Sequence, residues 1–259
     1  MTRPFEALWE EAAGRLSGKG VAPPPLPSSP SPPVLPADTP AVAALIDETL
    51  LRPEATLEEM DAFLRASRDF PFATVCVQGA FVARARGLLA GTKTGVAAVV
   101  GFPHGANGAR AKASEARLAV ADGASEIDMV GPIGLLRSGD FGGCLEHVAA
   151  VREATPGVKL KVILETAALT PLEIVEGSML AVLGAADFVK TSTGFGPGGA
   201  TVEDVALIRR TVGFGVGVKA AGGIRDRTAL LAMVEAGASR IGTSRGHAIC
   251  TSWQAGSHP

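Results

Sequence analysis

Two short runs decide the fold: ADFVK over residues 186–190 and VGVK over residues 216–219. Each run is typical of a buried strand, each ends in a lysine, and each passes directly into small, polar, glycine-rich sequence. In parallel α/β proteins, the loops that follow the carboxyl ends of the strands carry the functional groups. The two runs therefore predict consecutive strands of one parallel sheet, each with a lysine at its functional end.

Six further runs of this kind precede and follow them, separated by longer helical stretches. The eight predicted strands cover residues 45–50, 73–77, 96–101, 125–130, 160–165, 186–191, 215–219 and 239–242. Helix starts are marked by capping boxes at Thr56 with Glu59 and at Thr170 with Glu173. Eight strand-then-helix units predict the α/β class and a closed (β/α)8 TIM barrel over residues 41–250. A doubly wound open sheet is the alternative architecture.

An N-terminal extension over residues 1–40 precedes the barrel. An apolar stripe at helical spacing predicts a short amphipathic helix over residues 3–16, formed by Phe5, Leu8, Trp9, Ala12 and Leu16. Proline and serine then dominate residues 18–40, which predicts an extended linker. The helix is interpreted either as a dispensable tail or as a docking element for the barrel or a second subunit. Residues 251–259 are expected to be a C-terminal tail.

Composition excludes several classes of protein. The 259 residues carry a net charge of −2 with scattered basic residues, which argues against a nucleic-acid partner. Three widely spaced cysteines make no disulfide framework and indicate a reducing, cytoplasmic setting. The sequence contains no apolar run of membrane-spanning length and no export signal.

The two lysines are the candidate chemistry. A free lysine has a pKa of about 10.4, so it is protonated and non-nucleophilic at neutral pH. Two unit charges about 5 Å apart at an effective dielectric of about 20 repel by roughly 3 kcal/mol, or about 2 pKa units, and burial acts in the same direction. One of Lys190 and Lys219 is therefore expected to be neutral near pH 7 and able to form a Schiff base with a carbonyl. The residue pattern does not indicate which one.

Further polar side chains occur in or near the predicted strands. Asp128, in the fourth, is the candidate carboxylate that relays protons between the lysines. Asp47 and Cys76, in the first and second, are candidate substrate contacts, although a buried cysteine often acts as a small hydrophobe. Three more charged residues are interpreted either as part of this site or as ion pairs filling the barrel interior: Glu126, Lys161 and Glu165.

The loops after the last three strands predict a phosphate site. The segments 221–225 (AGGIR) and 242–246 (GTSRG) combine glycines with hydroxyl and arginine donors, and Thr191 to Gly194 adds more donors at the same rim. Glycines allow backbone amides to approach an anion, and this end of an α/β barrel commonly binds phosphate. Ordinary tight turns are the alternative interpretation.

A metal-dependent reaction is disfavoured by the histidines. The four are dispersed along the chain at positions 104, 147, 247 and 258, whereas a zinc site needs several ligands brought together. We expect no metal and no other cofactor.

At these residues the chain resembles the deoxyribose-phosphate aldolases, which are class I (Schiff-base) aldolases on a (β/α)8 barrel. The similarity runs over residues 46–249. It is carried by ID at 46–47 with TLL at 49–51, VCV at 75–77, VGFP at 100–103, EIDMV at 126–130, VILET at 162–166, DFVKTSTGFG at 187–196, VKAAGGIR at 218–225 and IGTS at 241–244. The segments that contain Lys190 and Lys219 are highly specific, and the others are supportive.

The resemblance implies reversible cleavage of 2-deoxy-D-ribose 5-phosphate to D-glyceraldehyde 3-phosphate and acetaldehyde. It implies Lys190 as the Schiff-base lysine, Lys219 as the neighbour that lowers its pKa, and Asp128 as the proton relay. The phosphate ligands it implies are Gly194, Gly222, Gly223, Gly242 and Ser244. The implied partners are a phosphosugar and an aldehyde, and enzymes of this type often form homodimers.

Some positions depart from the family pattern. Glu48 stands where histidine is common, and Gln78-Gly79 where Asn-Pro is frequent. Gly131-Pro132 stands where an asparagine often follows the strand that carries the aspartate, and Arg245 where a second serine is typical. Arg245 is a candidate phosphate contact. The chain has no tyrosine, so it lacks the mobile C-terminal tyrosine of some members. Two competing hypotheses about function therefore stay open. One is a Schiff-base aldolase with another donor or acceptor, and the other is a non-catalytic phosphosugar-binding barrel.

Overall fold

A closed barrel of eight parallel strands forms the centre of the molecule. The computed structural model describes residues 3–28 and 34–255. The strands are β1 (Ile46–Leu50), β2 (Thr74–Val77), β3 (Gly95–Val100), β4 (Glu126–Val130), β5 (Lys159–Ile163), β6 (Phe188–Lys190), β7 (Gly217–Ala221) and β8 (Arg240–Thr243). Each strand pairs with the next in the chain, and β8 pairs with β1. The predicted (β/α)8 barrel is confirmed, each strand boundary lies within two residues of its prediction, and the open sheet is excluded.

Helices cover the outside of the barrel. They are α1 (Phe5–Gly18), α2 (Thr39–Ala43), α3 (Leu57–Ala66), α4 (Val82–Leu88), α5 (Ala109–Ala121), α6 (Ile133–Arg137), α7 (Phe141–Ala154), α8 (Pro171–Leu183), α9 (Val202–Val212), α10 (Arg227–Glu235) and α11 (Gly246–Ala255). Short 3₁₀ helices follow β2 and β5, at Gly79–Phe81 and Thr166–Ala168. Both predicted capping boxes form, at the starts of α3 and α8. None of the helices in the described ranges is long and apolar enough to cross a membrane.

The N-terminal helix α1 packs on the barrel. Four residues of its predicted stripe are buried and Trp9 is half-buried, against α8 and α9. This helix therefore covers apolar surface that the barrel helices would otherwise expose. In the proline-rich passage, residues 19–28 and 34–38 form no helix or strand, as expected where prolines, which lack a backbone donor, interrupt the chain. The linker prediction is wrong at its two ends, because Gly18 ends α1 and Thr39 begins α2. Residues 29–33 lie outside the described residues.

The prediction of a tail over residues 251–259 is wrong for its first half. Helix α11 continues to Ala255 and buries Trp253, because Ile249, Cys250 and Trp253 repeat at helical spacing and join the core. The remainder, 256–259, with His258, lies outside the described residues.

The barrel has an apolar outer layer and a charged interior. Alternate residues of a strand point to opposite faces, so one set packs under the helices and the other faces the barrel axis. In register, Lys190 pairs with Lys219 and Asp128 pairs with Lys161. Lys219 does not end its strand as predicted, because β7 continues to Ala221. The pairing therefore places both lysines next to each other on the interior face.

Candidate active site

One carboxylate joins three lysines inside the barrel. Asp128 Oδ2 accepts hydrogen bonds from Lys190 Nζ at 2.8 Å and from Lys219 Nζ at 2.7 Å, and Oδ1 accepts from Lys161 Nζ at 2.7 Å. All four side chains are buried. Because both nitrogens are bound to one oxygen, Lys190 and Lys219 are less than two hydrogen-bond lengths apart. The structure thus brings together the two amines and the carboxylate that the sequence singled out.

The surroundings of the two lysines differ in negative charge. Lys219 contacts a second carboxylate, Asp47 Oδ2, at 2.5 Å. Burial lowers the pKa of Lys219, but Asp128 and Asp47 together raise it above its ordinary value. Burial also lowers the pKa of Lys190, where Asp128 opposes it and the Lys219 ammonium lowers it further, so the net direction is down. Of the two amines, Lys190 therefore loses its proton more readily, and Lys219 holds its proton more firmly.

Burial has a larger effect on Lys190 than the neighbouring charge. We expected repulsion by a second ammonium to be the main cause of a lowered pKa, with burial adding to it. Desolvation instead comes first, and Lys219 adds to it. The Asp128 carboxylate is held well below its usual pKa, since three lysines outweigh the effect of its own burial. It is thus an anion in the resting site.

A compact ion network lies below this pair. Arg240 Nη1 contacts Asp47 Oδ1 at 2.6 Å and Glu126 Oε2 at 2.9 Å. Lys161 Nζ contacts Glu126 Oε2 at 2.6 Å and Asp47 Oδ2 at 3.4 Å. The interior thus contains three carboxylates and three paired cations, with Lys190 as an additional amine. The carboxylates are Asp47, Glu126 and Asp128, and the cations are Lys161, Lys219 and Arg240. A neutral Lys190 balances the interior charge.

Sequence reasoning missed Arg240 in this network. The signal that could have found it is parity: Arg240 and Gly242 are two residues apart on β8, so they share the interior face. Glu126 and Lys161 form an ion pair in the barrel interior, which was the second of the two interpretations given for them. Lys161 also binds Asp128 directly.

Above Lys190 lies a cavity of about 350 Å³ at the carboxyl ends of the strands. The predicted residues that line it are Lys190, Gly194, Gly222, Gly223, Gly242 and Ser244. Gly194, Gly222 and Gly223 have φ values of 84°, 89° and 82°, a conformation that other residues rarely adopt. Thr49, Arg52, Thr193, Phe195 and Arg225 also line the cavity. Only Lys190, of the interior cations named here, reaches it.

Four predicted substrate contacts do not line this cavity. Asp47 is fully buried among Lys161, Lys219 and Arg240. Cys76 Sγ lies 4.0 Å from Asp128 Oδ2, and burial raises the pKa of its thiol. The Thr191 hydroxyl is bonded to the backbone of Ala221, as donor at 3.2 Å and acceptor at 3.1 Å. Arg245 lies near Glu48, where burial raises the pKa of the carboxyl group and the charge of Arg245 opposes that rise.

Comparison with known proteins identifies a family for the chain. Residues 42–252 match the model of the DeoC/LacD family of aldolases. A deoxyribose-phosphate aldolase of Brevibacillus brevis is 52% identical over 206 residues, which are 80% of this chain and 93% of that protein. One from Macrococcus caseolyticus is 48% identical over 79% of this chain and 93% of its own length.

Solved structures show the same fold. A chain from Coccidioides immitis superposes with a TM-score of 0.84 at 37% identity, covering 98% of this chain and 99% of its own. The tetrameric deoxyribose phosphate aldolase of Aeropyrum pernix gives a TM-score of 0.77 at 26% identity, covering 97% and 99%. The match spans the whole barrel that carries the lysine pair, and the chain belongs to the DeoC/LacD aldolase family.

Proposed function

We propose that this aldolase reversibly cleaves 2-deoxy-D-ribose 5-phosphate to D-glyceraldehyde 3-phosphate and acetaldehyde through a Schiff base on Lys190. The observation that carries the proposal is the difference between the lysines. Lys190 has a lowered pKa and lines the cavity, whereas Lys219 has a raised pKa and lies beneath it. A nucleophilic lysine needs both neutrality and access to the carbonyl.

In the first step, the neutral Lys190 amine adds to the aldehyde carbon, C1, of the open-chain sugar. The resulting carbinolamine loses its hydroxyl as water after taking up a proton, and an iminium ion remains. Asp128 lies 2.8 Å from Lys190 Nζ and is positioned to accept the proton that leaves the nitrogen. Lys219, bound to the same carboxylate oxygen, stores a proton that can be returned.

In the second step, the C2–C3 bond breaks. A base takes the proton of the C3 hydroxyl, that oxygen forms the carbonyl of glyceraldehyde 3-phosphate, and the bonding pair moves to C2 to give an enamine. Protonation of C2 and attack by water then release acetaldehyde and restore the amine. The iminium acts as the electron sink, so the mechanism we propose uses no cofactor.

The glycine-rich rim is proposed to bind the phosphate. Gly222 and Gly223 give β7's loop a backbone that an anion can approach, and Ser244 adds a hydroxyl from the loop after β8. Arg225 and Arg52 place cations at the same cavity. Arg52 is also ion-paired with Glu54 and Glu59, so Arg225 is the better candidate for a phosphate contact.

The cellular role that follows is nucleoside catabolism in the cytoplasm, with small molecules as the only reaction partners. We also propose that the chain forms a homodimer. Light scattering of the full chain tests this assembly, and a monomer across micromolar concentrations would exclude it.

The decisive experiment on function is trapping with acetaldehyde and borohydride, followed by peptide mass analysis. We expect an irreversible adduct on Lys190 and cleavage of 2-deoxyribose 5-phosphate in the untreated protein. An adduct without cleavage of this sugar would indicate an aldolase of other specificity. No adduct and no turnover would support a phosphosugar-binding barrel instead.

A further inference from the structure

Glu165, just beyond the end of β5, has an unusual backbone conformation. Its φ and ψ are both 61°, in the left-handed region that residues other than glycine seldom adopt. The side chain is 4% exposed. A buried carboxyl group on a strained backbone costs free energy, so the surrounding contacts must hold it there. The chemical steps above do not use it.

The carboxyl group binds the loop that follows β6. Glu165 Oε2 accepts a hydrogen bond from the Thr193 amide at 3.2 Å and a short one from the Thr193 hydroxyl. The Thr193 hydroxyl oxygen in turn accepts from the Phe195 amide at 3.0 Å. A chain of hydrogen bonds thus runs from the end of β5 into the loop after Lys190.

The backbone on both sides strengthens this connection. The Leu164 amide donates to the Lys190 carbonyl and the Thr166 amide to the Thr191 carbonyl, both at 3.0 Å. At Gly196 the loop passes so close that a Cβ there would lie 2.6 Å from Glu165 Cδ. The loop therefore lies directly against this carboxyl group, and at Gly196 no side chain stands between them.

The bound loop forms one wall of the substrate cavity. Thr193, Gly194 and Phe195 line it, and the Phe195 ring packs edge-on against Phe102 with centroids 5.3 Å apart. The second carboxyl oxygen, Glu165 Oε1, is buried and has no hydrogen-bond partner within residues 3–28 and 34–255. One carboxyl oxygen, Oε2, thus accepts the hydrogen bonds from Thr193, while the other, Oε1, accepts none within the described residues.

We infer that Glu165 is a positioning residue for the phosphate end of the substrate, because it holds the 193–196 loop in the shape that completes the cavity wall. It touches no reacting atom, and it acts through Thr193. The inference rests on the proposed function. It predicts that Glu165 affects recognition of the phosphorylated sugar far more than formation of the imine on Lys190.

The test compares two substrates, 2-deoxyribose 5-phosphate and unphosphorylated 2-deoxyribose. In Glu165→Ala, kcat/KM for the phosphorylated sugar should fall on the order of 100-fold, mainly through KM. For 2-deoxyribose, and for borohydride trapping of acetaldehyde on Lys190, the loss should stay below about 3-fold. Glu165→Gln retains one acceptor oxygen and should give an intermediate loss.

Two further variants separate positioning from general damage. Thr193→Val removes the hydroxyl that links Glu165 to Phe195, and it should reproduce the selective loss of kcat/KM for the phosphorylated sugar if Glu165→Ala does not fold. Glu176→Gln alters another buried glutamate, on α8 beside Arg15, and should leave the ratio of the two kcat/KM values unchanged.

Equal losses for both sugars in Glu165→Ala, or in Thr193→Val if the first variant is insoluble, would overturn the inference. Failure of the proposed function looks different, because wild-type protein would then not cleave 2-deoxyribose 5-phosphate, with or without an acetaldehyde adduct on Lys190.

Discussion

The surroundings of Lys190 and of Lys219 differ in two respects although the residues are paired in register on β6 and β7. Lys219 contacts two carboxylates and does not line the cavity, whereas Lys190 contacts only Asp128 and lines the cavity. Both lysines are desolvated, and Lys219, which has the second carboxylate, has a raised pKa, whereas the pKa of Lys190 is lowered. Burial alone therefore does not make a lysine nucleophilic. Asp47, below Lys219, contributes to the difference in pKa that distinguishes Lys190 from Lys219.

Removing the neutral amine should have the largest effect. Lys190→Met is expected to lower cleavage of 2-deoxyribose 5-phosphate on the order of 10⁴-fold or more, because no other cavity-lining amine can form the imine. A coupled assay for glyceraldehyde 3-phosphate measures this. Adduct formation at Lys219 in this variant, with substantial turnover, would break the distinction between the two lysines.

Removing the ammonium should have the next largest effect. In Lys219→Leu the pKa of Lys190 should rise, because the ammonium that lowers it is removed, and turnover at pH 7 should fall on the order of 100-fold. Because the loss comes from protonation of Lys190, activity should recover as the pH is raised toward 9. A pH–rate profile measures this recovery.

The matched control is Lys161→Met, which removes the cation on the other oxygen of Asp128. It should destabilise the protein but shift the pH profile less. If Lys219→Leu loses the same fraction of activity at every pH, then Lys219 does not act by changing the protonation of Lys190.

Much of the fold could be predicted because its signals are local. Apolar runs of strand length, capping boxes such as Thr56 with Glu59, and the glycine-rich loops all lie within a few residues of one another. The two lysines and Asp128 could be predicted as neighbours because each follows or lies in a strand of the same parallel sheet.

The height of each interior side chain could not be predicted in this way. It depends on the stagger between strands around the closed barrel, which no local pattern encodes. Asp47 therefore lies beneath Lys219 and away from the cavity, and Arg240 was missed altogether. Arg245 lies near Glu48 for a similar reason, since its orientation depends on how α11 begins.

Asp47→Asn tests whether the second carboxylate sets the difference between the lysines. Without its charge, Lys219 should be less firmly protonated, and turnover should fall by about 10-fold through kcat. Unfolding should become easier by on the order of 3 kcal/mol, because Lys161 and Arg240 lose an ionised partner. Steady-state kinetics with thermal denaturation measure both. A rise in KM without a change in kcat would instead support direct contact between Asp47 and the substrate.

Glu48 extends the comparison to a buried acid whose neighbouring positive charge does not offset its desolvation. Substitution of Glu48 should have the smallest effect on turnover. Burial raises its pKa from 4.5 to about 7, against the amides of Gly246 and His247 and the charge of Arg245. Its protonated form stabilises the fold below about pH 4.5, and this contribution, at most about 3 kcal/mol, is lost as the pH rises to 7.

Glu48→Gln should therefore match the wild type near pH 4.5 and be more stable at pH 8, as measured by denaturant unfolding at the two pH values. A variant that is less stable than the wild type at pH 8 would show that the ionised carboxylate is stabilised where it lies.

Titration of the lysine side chains by NMR tests the central claim most directly. With lysines labelled at Cε and Nζ, the signals of Lys190 and Lys219 are assigned by their loss in Lys190→Met and Lys219→Leu. We predict that Lys190 titrates clearly below the free-lysine value of about 10.4, while Lys219 remains an ammonium ion at higher pH. A Lys190 that titrates at or above Lys219 would contradict the account.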